Sequence, residues 1–134
     1  MYAKRPSKFR GRCGGTWYFG ALDLTDKSKP TITDRLNELV FDIESETWGE
    51  YIGINDNKEH EVYEGDILLV SYRNIASPTG YTRLKGIVNY DVERFCFSLS
   101  TPHGNIPLLN FYDGNHKSLY LEVLGNIYDD PQMI

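Results

Sequence analysis

Turn-forming residues recur so often along this chain that the segments between them are strand-sized. Gly14-Gly15, Pro30, Gly65-Asp66, Pro78 with Gly80, Asp91 to Arg94, Pro102 with Gly104, Asp113-Gly114-Asn115 and Gly125 divide its 134 residues into short pieces. Glycine reaches positive φ without strain, proline fixes φ and lacks a donor, and Asp or Asn bonds its own backbone in a turn. Several of the pieces between them alternate with a period of two. Leu84, Gly86, Val88 and Tyr90 fall on one face, with Arg83, Lys85 and Asn89 on the other. Phe95, Phe97 and Leu99 alternate with Cys96, Ser98 and Ser100 across the turn from that segment, which reads as a hairpin. Ile67-Leu68-Leu69-Val70 is apolar on both faces, as in a strand covered on two sides. The ten Tyr, six Phe and two Trp suit pleated, half-buried surfaces. Short strands about 8–12 residues apart are the pattern of a small antiparallel barrel or sandwich, a mainly β fold.

Other segments are read less directly. Residues 1–15 read as an irregular arm leading into a strand at Thr16–Leu22, and residues 23–31 as a loop. In 32–43 two patterns compete. Ile32, Leu36, Leu39 and Val40 have helical spacing behind a Thr31-x-x-Asp34 capping signature, whereas Leu39, Phe41 and Ile43 alternate. A short helix passing into a strand satisfies both. Leu108 to Tyr112 reads as a further strand, and Leu119, Leu121, Val123 and Ile127 mark the last one, with Gly125 as a bulge or close backbone approach.

Charge and cysteine content exclude several classes of function. Residues 1–45 hold eight Lys/Arg against six Asp/Glu, and residues 46–134 hold six against thirteen. So acidic a body opposes broad binding to duplex DNA, which needs many cations facing phosphates. Cys13 and Cys96 are far apart and form no CxxC, so neither a disulfide framework nor a structural zinc site is expected. No apolar run approaches the roughly 20 residues that span a bilayer, and the basic start lacks an apolar stretch behind it. A cytoplasmic protein that does not enter membranes is expected.

Three stretches of the sequence form a combined signature. The first is Lys8-Phe9-Arg10-Gly11, with Trp17-Tyr18 and Gly20 after it. The second is Thr47-Trp48-Gly49-Glu50-Tyr51-Ile52-Gly53-Ile54, then Asp56 and Val62-Tyr63-Glu64-Gly65-Asp66-Ile67. The third is the ending Glu122-Val123-Leu124-Gly125-Asn126-Ile127-Tyr128-Asp129-Asp130-Pro131. Together they resemble the YopX family of phage and prophage proteins. Glu59 stands where that family commonly has a turn glycine, and Glu50 where it has Gln. The resemblance implies an SH3-like β-barrel over 56–134, with an N-terminal extension over 1–55 carrying at most one short helix, the two forming one compact unit. It implies a phage or prophage origin, and no catalytic residue and no cofactor.

The chemistry-bearing residues point the same way. His60, His103 and His116 fall in turns without ligand-like spacing, and no metal site is expected. Cys96 reads as a packed strand residue and Cys13 as an exposed thiol. Gly11-x-x-Gly14-Gly15 lacks the ending and the helix of a phosphate-binding loop. Gly65 and Asp66 read as the structural turn that starts a strand, and Asp129-Asp130-Pro131 as a solvated terminus. A non-enzymatic interaction module is therefore expected, acting by self-association as a homo-oligomer or on a protein partner. The alternative is a nucleic-acid-binding regulator whose basic arm uses Lys8, Arg10 and Arg12 with Trp17 and Tyr18, combining cations with stacking platforms.

Overall fold

A computed structural model describes residues 8–34, 36–111 and 119–133. It is mainly β, as the turn spacing predicts, with two compact units, Met1–Ile54 and Asn55–Ile134. The Asp113-Gly114-Asn115 turn and His116 lie outside the described residues, as do Lys4 and Arg5.

The first unit contains β1 (Phe9–Cys13), β2 (Thr16–Asp23), β3 (Thr31–Asp34), β4 (Leu39–Asp42) and all but the last residue of β5 (Gly49–Asn55), in the sheet order β4-β3-β2-β1-β5. Residues 9–13 are thus a strand rather than part of an irregular arm. Gly14 (φ 60) and Gly15 (φ 83) make the left-handed two-residue turn whose twist matches antiparallel strands, and β1 pairs with β2 from Phe9↔Gly20 to Cys13↔Thr16. The helix expected within 32–43 is replaced by a second hairpin, β3–β4, paired from Thr31↔Asp42 to Asp34↔Leu39. Asp34 caps a turn, not a helix: its carboxylate accepts from Leu36 N–H at 3.0 Å and from Asn37 Nδ2 at 2.8 Å, and Glu38 follows at φ 54. A helix would have aligned Leu36, Leu39 and Val40 on one buried stripe, yet Leu36 is 95% exposed. Ile32 and Ile43 are buried in the core, where Gly11 leaves no room for a β-carbon against Ile43, and Tyr18 stacks on Phe41 at 4.1 Å.

The second unit contains β6 (Glu61–Tyr63), β7 (Asp66–Arg73), β8 (Tyr81–Asp91), β9 (Cys96–Thr101), β10 (Gly104–Pro107) and β11 (Tyr120–Asn126). Its five-stranded sheet has the order β10-β9-β8-β7-β11, antiparallel throughout. Among the described residues the edge strands β10 and β11 do not pair, so the sheet is open and closes no barrel. Leu68, Val70, Val88, Leu99 and Leu121 are buried on one face, and Ile67 is buried on the other, in keeping with a β7 that is apolar on both sides. Phe95 does not join the β9 alternation. It sits in the turn at φ 55 and is 81% exposed. Leu108–Phe111 is a 3-10 turn rather than a strand. The register of β11 on β7 shifts between Val123 and Gly125, the bulge foreseen at Gly125. The acidic ending is not simply solvated. Asp130 Oδ2 accepts from Asn126 N–H at 3.2 Å, and its side chain lies where a β-carbon on Gly125 would be.

Residues 56–60 join this sheet to the start of the unit through one carboxylate. Asp56 is 5% exposed. Its Oδ1 accepts from Lys58 N–H (2.9 Å) and His60 N–H (2.8 Å), and its Oδ2 from Val123 N–H (2.9 Å), with His60 Nδ1 at 3.3 Å. Asn57 adds a reciprocal pair with Leu121, N–H to carbonyl at 2.9 Å and Leu121 N–H to Oδ1 at 2.8 Å. Burial alone would push the Asp56 pKa up, but the amides of Val123, His60 and Lys58 outweigh it and hold it below the ordinary carboxylate range. A folded-state pKa below the unfolded value contributes stability that is fully present above the unfolded pKa of about 3.9 and is lost as pH falls through the folded value.

Three outcomes follow from this turn. Asp56→Ala should destabilise the second unit by about 3 kcal/mol in urea unfolding, because several buried amides lose a charged acceptor. The same unfolding series, repeated from about pH 5 down to 3, should show a smaller loss in Asp56→Asn than in the parent. Glu59 occupies φ 67, in the left-handed region where glycine carries no strain. Glu59→Gly should therefore raise the urea midpoint, by about 0.5–1 kcal/mol in stability.

Candidate interaction surfaces

The residues expected to bind are strand residues of the first unit. β1 and β2 align Arg10 and Arg12 with Trp17 and Phe19 on one face. Arg10 is 8% exposed, and its guanidinium lies 4.5 Å from the centre of the Trp17 ring, a cation–π contact. Arg12 is 3.8 Å from Glu44, and its amide donates to Thr47 Oγ1 at 3.0 Å. Lys8 precedes β1, its carbonyl accepting from Tyr51 N–H at 2.8 Å, and Tyr18 points the opposite way, onto Phe41. The pairing brings Arg10, Arg12 and Trp17 together but separates them from Tyr18. Gly65 has φ 91 and Asp66 is 1% exposed, its Oδ2 accepting from Tyr63 N–H at 2.8 Å. These two residues act on the backbone at the entry to β7.

The outer edge of the first sheet is β4. Val40 is 62% and Leu39 50% exposed, and Phe19 on β2 is 45% exposed. Ile43 N–H donates to Pro30 carbonyl at 3.1 Å, which fixes the phase of the β3–β4 ladder. In an antiparallel ladder hydrogen-bonded pairs alternate with non-bonded ones, so Thr31↔Asp42 and Thr33↔Val40 are the non-bonded pairs. The main-chain N–H and C=O groups of Val40 and Asp42 therefore point away from β3, outward from the sheet.

A different surface lies on the second sheet, on the face opposite Leu68 and Val70. The register places Tyr120, Ser71 and Arg83 in one row across β11, β7 and β8, and Glu122, Leu69 and Lys85 in the next. Arg73 faces Tyr81 at the near end. Tyr81 is 53% exposed and Tyr120 36%. Two concavities meet at Ser71 and Arg83: one of about 600 Å³ with Thr79 and Tyr81, the other of about 400 Å³ with Leu69, Tyr120 and Glu122. Glu122 is already engaged. Tyr120 Oη donates to it at 2.9 Å and Lys58 Nζ lies 3.2 Å away, and together they hold its carboxyl below the usual range. Arg73, Arg83 and Lys85 have no ion pair among the described residues.

The remaining reactive side chains are dispersed. His60 shares the Asp56 turn, while His103 lies in the β9–β10 turn, its amide donating to Thr101 Oγ1 at 3.1 Å. Cys13 is exposed, and Cys96 is half-buried with its sulfur 3.7 Å from Ser98 Oγ. Among the described residues no three His, Cys, Asp or Glu side chains gather in a way that could hold a metal ion.

The fold is that of an antiparallel β protein presenting a strand edge and a cationic, aromatic sheet face. Residues 8–134 match the family model described as YopX protein, and the chain belongs to that family. No curated protein and no solved structure matches it.

Proposed function

We propose that this YopX-family chain is a non-enzymatic accessory protein of a phage or prophage, working in the host cytoplasm as an interaction module that pairs through the β4 edge. One observation carries the reading: Val40 and Asp42 direct main-chain donors and acceptors outward from an edge strand whose side chains are largely apolar. Natural edges are commonly blunted by lysine, proline or a bulge. β4 (LVFD) holds none of these, although it is short. An exposed edge of this kind accepts an added strand, with main-chain bonds supplying affinity and flanking side chains supplying selectivity.

A second copy fits the edge. With a two-fold axis at Phe41, Val40 of each copy exchanges hydrogen bonds with Asp42 of the other. The two Phe41 residues then face each other at the non-bonded position, where cross-strand side chains approach most closely. Within β4 itself no like charges oppose one another in that register; Glu38 and Glu44 of opposite copies meet only beyond its ends. A host or phage protein offering an extended strand would use the same groups. Binding of nucleic acid by the basic arm is less well supported, because Arg10 lies against Trp17 and Arg12 beside Glu44.

Sedimentation of the intact protein up to about 100 µM should show a dimer, an ordinary affinity for a small interface. Val40→Pro removes an outward donor without touching the β3 ladder and should give monomers. Val40→Asp, which sets two carboxylates opposite each other in the paired register, should do the same. A parent that remains monomeric, or variants that dimerise as well as the parent, would overturn self-pairing at this edge.

A further inference from the structure

We propose that the outward face of β7, β8 and β11 in the second unit binds single-stranded nucleic acid. In this site Arg73, Arg83 and Lys85 meet the phosphates, and Tyr81 and Tyr120 stack on bases.

The face is unusual for the charge of its surroundings. From residue 55 onward the chain has six Lys/Arg against eleven Asp/Glu. Nevertheless, the rows Tyr120–Ser71–Arg83 and Glu122–Leu69–Lys85, with the adjoining pair Arg73–Tyr81, contain one carboxylate among three cations. That carboxylate is bonded to Tyr120 and Lys58. The three cations, by contrast, are left to attract an anion from solution.

Spacing and shape favour a polynucleotide. Arg83 and Lys85 are two residues apart on one strand and face, about 7 Å at the usual rise. Successive phosphates of an extended single strand have a similar repeat. Arg73 is the diagonal cross-strand neighbour of Arg83, again roughly 7–8 Å away, so the cations form a short zigzag rather than a point. Tyr81 follows this line on β8, and Tyr120 stands across Ser71 from Arg83. The two concavities that meet at Ser71 and Arg83 lie between these rings, each with space for a base. Sequence-tolerant binding of single strands combines such a cationic track with aromatic platforms. An acidic peptide would use the cations but gain little from the rings. A duplex would bring more phosphates than three cations can neutralise toward an otherwise acidic unit.

The test is fluorescence anisotropy of a labelled oligothymidylate of about 20 nucleotides with the intact protein at low salt. The parent should bind, with log affinity falling against log salt at a slope near −2, about −0.7 for each of three phosphates. Arg83→Glu with Lys85→Glu should weaken binding by at least tenfold and flatten the slope to about −0.7, and the neutral pair Arg83→Gln with Lys85→Gln should lie between. Tyr81→Ala with Tyr120→Ala should cost about tenfold while leaving the slope unchanged, since stacking releases no counterions. These side chains are exposed, and the variants should melt as the parent does. The proposal is overturned if the parent does not bind, or if the charge variants bind like the parent. It also fails if a duplex of the same length binds as tightly, or if polyglutamate displaces the oligonucleotide at equal charge, which would assign the face to an acidic protein segment.

Discussion

The second unit is organised around a carboxylate buried among amides. Asp56 takes donors from its own turn at Lys58 and His60 and from β11 at Val123, so one side chain sets the path of residues 56–60 and pins the strand at the sheet's edge. A charge is stable there only because the amide dipoles outweigh its lost hydration. Near by, Gly65 receives a hydrogen bond from Ile127 N–H and gives one to Val88 carbonyl, which ties the entry of β7 to the end of β11 and to β8. The apolar core of β7 is positioned by these polar groups rather than the reverse. Removing one methyl group from Val70 would loosen packing locally, whereas removing the Asp56 carboxylate orphans amides from separate parts of the chain.

Much of this was legible in the sequence, and the gaps have physical causes. Turn residues marked the boundaries of β2, β7, β8 and β11 because glycine and proline act locally, through φ and the missing amide. The segment 32–43 was ambiguous because Asp34 caps a helix start and a tight turn with the same carboxylate oxygens, and only burial decides between them. Phe95 was misplaced because alternation does not show where a strand yields to its turn. β1 was hidden because short strands rich in Gly and Arg resemble a linker until Gly14-Gly15 folds them onto β2. The sequence resemblance identified the family, but it implied no site.

The candidate surfaces were less accessible to reading along the chain. Arg83 and Lys85 showed as the polar face of a strand, and Tyr120 as one aromatic among many. Only the cross-strand register sets them in common rows, and register depends on turns and a bulge distant from the residues concerned. The outward direction of Val40 and Asp42 depends likewise on the phase fixed by the Pro30–Ile43 bond. The cations that stood out in the sequence, Arg10 and Arg12, are engaged within the first unit, by Trp17 and Glu44.

The Asp56 bonds also differ in the length of chain they close. Those to Lys58 and His60 span two and four residues, whereas that to Val123 spans 67. Closing a loop of that length costs roughly 4 kcal/mol in chain entropy, well above what the short turn bears. The turn can thus form while the rest of the unit is still open, holding a solvated carboxylate with one lone-pair direction unfilled. Arrival of β11 fills it and removes the charge from water in the same event. A contact between distant parts of the sequence therefore governs when this unit becomes complete, which places it among the slower-folding topologies for its size.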